Sequence, residues 1–322
     1  MEKKNSIDRV MFIGSKQLGY ESLYRMFRLA PHALCGCITF DDRKDDRNCY
    51  GLIKGFCEKN KIPYYCVSGK CDISQIIIEN KPDICFVIGW YFIIQKEILD
   101  MVPFGFVGIH ASLLPAYRGH APLVWAMING ERETGYSVFK LDDGVDIGDI
   151  LYSEKIRIEE EDYINDVLEK VENSVLHFWD KRYGDILKGR LGWRKQEGEG
   201  SFAAKRIEAD GKIDWEKDAQ YLYNFIRAQS CPYPGAYTIF KENKLIIWKA
   251  KKAQGIFYGT CGQVAYIDMA RKTIGVICGE NSALEIEQVE YQGNKCCPTE
   301  IVKLLNIRFQ WKGDCENRVG GG

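Results

Sequence analysis

Val10-Met-Phe-Ile-Gly14, a continuous apolar run closed by glycine, is followed by Leu18, Leu23, Met26, Phe27 and Ala30 at helical spacing. A buried strand, a tight turn and an amphipathic helix account for that pattern. Outward from it the alternation continues: residues 33–40 read as strand, 51–59 as helix, 62–67 as a short strand, 73–79 as helix and 84–88 as a fully buried strand. Strands that alternate with helices predict a mostly parallel sheet covered on both faces. Gly14 to Gly19 is not the Gly-x-Gly-x-x-Gly pattern that cradles a dinucleotide pyrophosphate, so this Rossmann-type sheet carries no dinucleotide signature.

At 322 residues, 46% of them hydrophobic, the chain has the length and the apolar content for two cores. Residues 195–201 turn to Gly, Glu and Gln without apolar periodicity and read as a link, which puts an α/β domain at 1–195 and a second domain at 202–312. Beyond the link, 219–228 reads as a helix, and short segments at 236–240, 245–250, 262–267, 273–278 and 283–289 suggest a small β-barrel. Residues 301–305 read as a final helix, and the glycine-ending stretch 313–322 as a disordered tail. Glu159-Glu-Glu-Asp162, ahead of Ile164, Val167, Leu168, Val171 and Val175, reads as the acidic start of a helix.

The formal net charge is −1, and from Gly200 onward 17 lysines and arginines face 14 aspartates and glutamates. A balance of +3 argues against a surface built to grip nucleic acid by its phosphates. No run of about 18 apolar residues appears, so the expectation is a soluble, cytoplasmic protein with no membrane partner. The 13 cysteines include no Cys-x-x-Cys pair, which speaks against a metal site.

The chemistry concentrates in Gly108-Ile-His-Ala-Ser-Leu-Leu-Pro-Ala-Tyr-Arg-Gly119 and Gly144-Val-Asp-Ile-Gly-Asp149. An amine that attacks an acyl carbon must lose a proton, and His110, in a loop with turn chemistry on both sides, suits that task. Asp146 would orient the imidazole and hold its charge. A lone histidine is more often structural. Tyr117, Arg118 and His120 are candidate substrate contacts beside it; an internal ion pair is an equal reading of Arg118. Trp90, Tyr91 and Phe92 follow the 84–88 strand where open sheets bind ligands, and core packing is the equal alternative for each ring.

The run from His110 to Ala126, with Asn129-Gly-Glu-x-Glu-Thr-Gly135 and the Asp146-to-Ile150 tail, resembles the N10-formyltetrahydrofolate-dependent formyltransferases. Asp210-Gly-Lys-Ile-Asp-Trp215, Ile226-Arg-Ala228, Pro232-Tyr-Pro-Gly-Ala236 and Lys244-Leu-Ile-Ile-Trp-Lys-Ala250 resemble the family's carboxy-terminal domain. The resemblance implies a barrel of oligonucleotide-binding type there, and N10-formyltetrahydrofolate as formyl donor. It implies that Phe92, Ile93 and Ile94 present backbone groups to the pterin, with Asp143 and Asp146 closing the other side. One branch of the family formylates initiator tRNA and another formylates the amine of nucleotide-linked sugars. Ala121-Pro-Leu-Val-Trp-Ala126 and Tyr233-Pro-Gly-Ala236 are more similar to the sugar branch, and a homodimer is the base expectation.

The chain departs from the family pattern at one place. Gly108 stands where the family has an asparagine whose amide donates to the developing oxyanion, while His110 and Asp146 match. Loss of one such donor costs about 3–4 kcal/mol. Three readings stay open: another donor substitutes, the reaction is slow or altered, or the chain is a disabled ligand-binding relative. The expectation is formyl transfer to a nucleotide-linked amino sugar, with methionyl-tRNA formylation as the alternative.

Overall fold

The computed structural model describes residues 6–45, 47–68 and 73–309; the tail reading at 313–322 lies outside them. In chain order the elements are β1 (Val10–Gly14), α1 (Lys16–Leu29), β2 (Leu34–Phe40), α2 (Tyr50–Asn60), β3 (Tyr64–Val67), α3 (Ser74–Asn80), β4 (Ile84–Ile88), α4 (Lys96–Leu99), β5 (Phe106–His110) and β6 (Arg118–Gly119). There follow α5 (Pro122–Ile128), β7 (Glu133–Lys140), β8 (Ile150–Arg157), α6 (Ile164–Leu187), β9 (Phe202–Ala203) and α7 (Ala219–Gln229). The chain continues through β10 (Ala236–Phe240), β11 (Asn243–Lys252), β12 (Val264–Asp268), β13 (Thr273–Ile277), β14 (Ala283–Tyr291), β15 (Asn294–Cys296) and α8 (Pro298–Ile301). Two compact units result. The first takes residues up to Gly119, Thr134–Ile156 and Glu169–Phe202; the second takes His120–Glu133, Arg157–Leu168 and Ala203 onward.

The first unit is built on a seven-stranded sheet of order β3-β2-β1-β4-β5-β7-β8. The four pairings from β3 to β5 are parallel, and β7 runs antiparallel to β5. Every residue of β1 and β4 is buried, as unbroken apolar runs require in a sheet covered on both faces. Because β1 lies between β2 and β4, strand order reverses there, which in open α/β sheets is where a ligand crevice lies, here beyond the carboxyl ends of β1 and β4. Close backbone approach shapes this place. A Cβ on Gly14 would lie 2.1 Å from the Ile88 carbonyl oxygen, and Gly89, at φ +68°, leaves no room for one beside Ser15. The Ser15 N–H donates to the Ile88 carbonyl at 3.1 Å.

Below the crevice Met11, Ile13, Ile38, Cys85, Val87 and Phe106 form one core, against which Trp90, Phe92, Ile94 and Leu141 pack. On α6, Trp179 is fully buried, donates from its indole to the Ser22 hydroxyl at 3.0 Å and meets the Phe86 ring edge-on at 5.1 Å. The acidic run before α6 serves as a helix start. Asp162 accepts from the Glu159 N–H and Asp166 from the Tyr163 N–H, both at 2.7 Å.

The second unit carries a six-stranded antiparallel sheet of order β10-β11-β14-β13-β12, with β15 on β14. Trp215 stacks on Phe309 and bonds the Thr238 hydroxyl at 3.1 Å, and α5 and α7 lie together. The final helix differs from expectation. It spans Pro298–Ile301 and ends where 301–305 was to begin, because Pro298 starts a helix at its first position and the Cys297 N–H is capped by Glu300. No helix among the described residues is long and apolar enough to cross a membrane.

Candidate active site

His110 is the last residue of β5 rather than a loop residue, and its register opposite Ser137 of β7 fixes its side chain on the same face as Gly108 opposite Phe139. The polar and proline-containing sequence after it conceals a strand that ends at the site. The His110 side chain is only 9% exposed. Its Nε2 lies 2.7 Å from the Tyr117 carbonyl oxygen and its Nδ1 lies 3.5 Å from Asp146 Oδ2. A carbonyl accepts only, so the network assigns the proton to Nε2 and leaves Nδ1 as the nitrogen facing the carboxylate. A separation of 3.5 Å exceeds a normal N–H···O bond, as expected for a bare lone pair facing a carboxylate oxygen. A proton on Nδ1 would turn this contact into a charge-assisted bond.

Asp146 sits in the left-handed region at φ +53°, a conformation that aspartate tolerates better than most residues. Its Oδ2 accepts the Gly119 N–H at 2.8 Å. Tyr117, whose carbonyl holds His110, is also left-handed, at φ +55°, and its N–H donates to the Ser201 hydroxyl at 2.8 Å. The Ser137 hydroxyl donates to the Ser112 carbonyl at 2.8 Å and accepts from the Leu114 N–H at 3.0 Å, which ties this loop to β7.

At Gly108 the space that a side chain would take is filled by carbon. A Cβ there would lie 2.9 Å from Leu141 Cδ2 and 3.2 Å from Phe139 Cε1. Carbon therefore crowds the point where an asparagine side chain would leave the backbone. The remaining sequence candidates divide. Arg118 is engaged within the protein: its Nε and one terminal nitrogen donate to Gln196 Oε1 at 3.1 and 2.6 Å, and its guanidinium lies 5.7 Å from the Phe202 ring centroid. His120 is exposed and belongs to the second compact unit. Phe92 and Ile94 pack on the core, while Ile93 is 92% exposed.

Among the described residues no hydrogen bond engages the backbone groups of Phe92, Ile93 and Ile94, and the buried Trp90 indole N–H has no partner. Uncommitted backbone donors and acceptors beside packed aromatic rings suit a flat, polar-edged heterocycle. Leu141 packs on the same core as Trp90 and Phe92, so the 141–146 loop borders this crevice. Asp143 is exposed, with its N–H turned to Asp142 Oδ1 at 2.8 Å. Lys96, whose ammonium is pulled up chiefly by Asp100, also feels Asp142 and Asp143.

Sequence reasoning missed Gln196, Ser201, Ser137 and Leu141. Gln196 and Ser201 lie in the stretch read as a link, and both bond into the two loops of the site. Nothing in a Gly- and Glu-rich stretch signals that a carboxamide will be buried against a distant loop.

Residues 67–178 match the formyl transferase family and residues 206–303 the formyl transferase C-terminal domain. The chain is 31% identical to a methionyl-tRNA formyltransferase of Caldanaerobacter subterraneus subsp. tengcongensis over 89% of its length and 93% of that protein. It is 32% identical to the bifunctional polymyxin resistance protein ArnA of Wigglesworthia glossinidia brevipalpis over 76% of its length, spanning 38% of that protein. Among solved structures, WlaRD, a sugar 3N-formyl transferase crystallised in the presence of dTDP and 5-N-formyl-THF, is similar with a TM-score of 0.65 at 17% identity, covering 87% of this chain and 97% of that one. The N-formyltransferase of Helicobacter canadensis, in complex with folinic acid and dTDP-3-aminofucose, gives 0.67 at 16% identity, covering 86% and 98%. At these identities the structural likeness speaks for the fold, whereas the matched regions and the 31–32% relatives together decide membership. The chain belongs to the formyl transferase family.

Proposed function

We propose that the chain transfers a formyl group from N10-formyltetrahydrofolate to the primary amine of a nucleotide-linked amino sugar. The observation that carries the reading is the pair of buried His110 and half-buried Asp146 at 3.5 Å, standing at the end of β5 in the sheet whose β4 leads into the uncommitted backbone groups of residues 92–94. The donor, when bound by Phe92, Ile93 and Ile94, supplies an activated one-carbon acyl group. The chain's own residues do the rest. The acceptor amine sheds a proton as its nitrogen adds to the acyl carbon; His110 Nδ1 takes that proton, directly or through water, and returns it to the departing tetrahydrofolate nitrogen as the old carbon–nitrogen bond breaks. Asp146 stabilises the resulting imidazolium, while the Tyr117 carbonyl keeps the ring from turning. With Leu141 and Phe139 over Gly108 and both imidazolium N–H groups engaged by Tyr117 and Asp146, the developing oxyanion is met by backbone N–H groups or water.

The near-neutral chain supports a sugar acceptor, and so do relatives described as sugar N-formyltransferases. Methionyl-tRNA is the second reading, favoured by curated relatives of full length at 29–31% identity. The test is direct: purified protein, N10-formyltetrahydrofolate and either a panel of nucleotide-linked amino sugars or methionyl-tRNA, with product identified by mass. Formylated sugar at turnover far above the uncatalysed rate is the expected result. Formylation of methionyl-tRNA alone, or of neither acceptor, overturns it. Homodimerisation is part of the proposal, and light scattering that returns the mass of one chain would refute it.

A further inference from the structure

Gln196 uses every hydrogen-bonding capacity of its carboxamide. Nε2 donates to the carbonyls of Asp146 at 2.7 Å and Gly148 at 2.8 Å, and Oε1 accepts the two bonds from Arg118. One planar group thereby joins the loop that carries Asp146 to the loop that follows His110. Neither a glutamate, which has no donor, nor a lysine or arginine, which has no acceptor, offers both faces.

The clamp falls where the backbone needs holding. Asp146 is left-handed at φ +53°, a conformation that aspartate visits as a single residue without the chain preferring it. Two residues on, the backbone is already fixed by packing: a Cβ on Gly148 would lie 1.8 Å from the Lys140 carbonyl oxygen. The Asp146 carbonyl is the point held by a side chain alone. If its peptide rotated, Oδ2 would leave the Gly119 N–H and move away from His110 Nδ1. The neighbouring Lys195–Asp149 ion pair is a weak candidate for the same task, since the Lys195 side chain is 85% exposed.

We infer that Gln196 is a positioning residue that holds Asp146 against His110. The inference rests on the formyl-transfer reading for its kinetic part only. Gln196→Glu removes the two donors facing the loop while keeping an acceptor for Arg118; Gln196→Ala removes both; Lys195→Ala serves as the control. In the ligand-free full-length protein, hydrogen exchange of the Gly119 N–H, which donates to Asp146 Oδ2, should rise at least about tenfold in both Gln196 variants and stay unchanged in Lys195→Ala, with the melting temperature nearly constant. With the acceptor found in the panel above, kcat should fall about tenfold to a hundredfold while both KM values stay within about twofold. Adding Gln196→Glu to Asp146→Asn should lower kcat no further, because the two act as one unit.

Unchanged exchange of the Gly119 N–H in both Gln196 variants overturns the inference, whether or not an acceptor has been found. So does a raised KM at constant kcat, or exchange that rises uniformly with a large drop in melting temperature. A panel with no formylated product would defeat the functional reading while leaving the exchange result to decide this one.

Discussion

At the scale of single residues, the pair His110–Asp146 and the gap at Gly108 make opposite demands on mutation. His110→Asn and Asp146→Asn should each lower kcat about a hundredfold to ten-thousandfold, the usual worth of a positioned proton acceptor, with little change in melting temperature; a purified-enzyme assay checks this. Gly108→Asn should not simply restore the family's donor. The new Cβ meets Leu141 at 2.9 Å, and overpacking of this kind costs about 1–3 kcal/mol. Urea unfolding should show that loss in the single variant and a partial recovery in Gly108→Asn/Leu141→Ala, where the added side chain has room. That His110 and Asp146 stand together was legible in the sequence because the block that bears them is long. The tenant of the vacant asparagine site was not. Leu141 arrives there through the pairing of β5 with β7, and a leucine in isolation carries no sign of which void it fills.

At the scale of elements, the strands buried on both faces were the easiest to read, since β1 and β4 announce themselves as unbroken apolar runs. β5 was harder. Its Gly108 and His110 dilute the apolar pattern, so a strand that delivers its last residue to the site reads as a loop. The 195–201 stretch held more than its composition told: it reads as a tether, yet its hydrogen bonds are tertiary. Long α6 offers two tests. Trp179→Ala should cost about 3–5 kcal/mol, because a fully buried indole that packs on Phe86 is removed and the Ser22 hydroxyl loses its donor. Glu172 on the same helix is pushed up from its ordinary value by burial, and then by Glu169 and Glu21. A raised carboxyl favours the folded state when protonated, so its stabilising form is fully present below about pH 4.5 and is lost as pH rises through the raised value. Glu172→Gln, neutral at every pH, should therefore melt higher than the parent at pH 7, with the difference vanishing near about pH 4; calorimetry at the two pH values decides.

At the scale of the molecule, composition spoke before any motif did. A chain of net charge −1, with 44 basic residues against 45 acidic ones, is a poor wrapper of polyanions, and a sugar acceptor predicts rates that change little with salt. Raising salt from about 50 to 200 mM should alter kcat/KM less than about threefold for a nucleotide-linked sugar, whereas an acceptor gripped through six to ten phosphates would lose about a thousandfold or more. The path of the chain has a separate consequence. It passes from one compact unit to the other at Gly119, Glu133, Ile156, Leu168 and Phe202, so no single cut separates them. A fragment ending at residue 202 would retain α5 with Leu123, Val124 and Met127 bared of the α7 they lie beside in the intact chain. Such a half-protein should be sticky and prone to precipitate, and the halves that sequence composition suggests would not be separable tools.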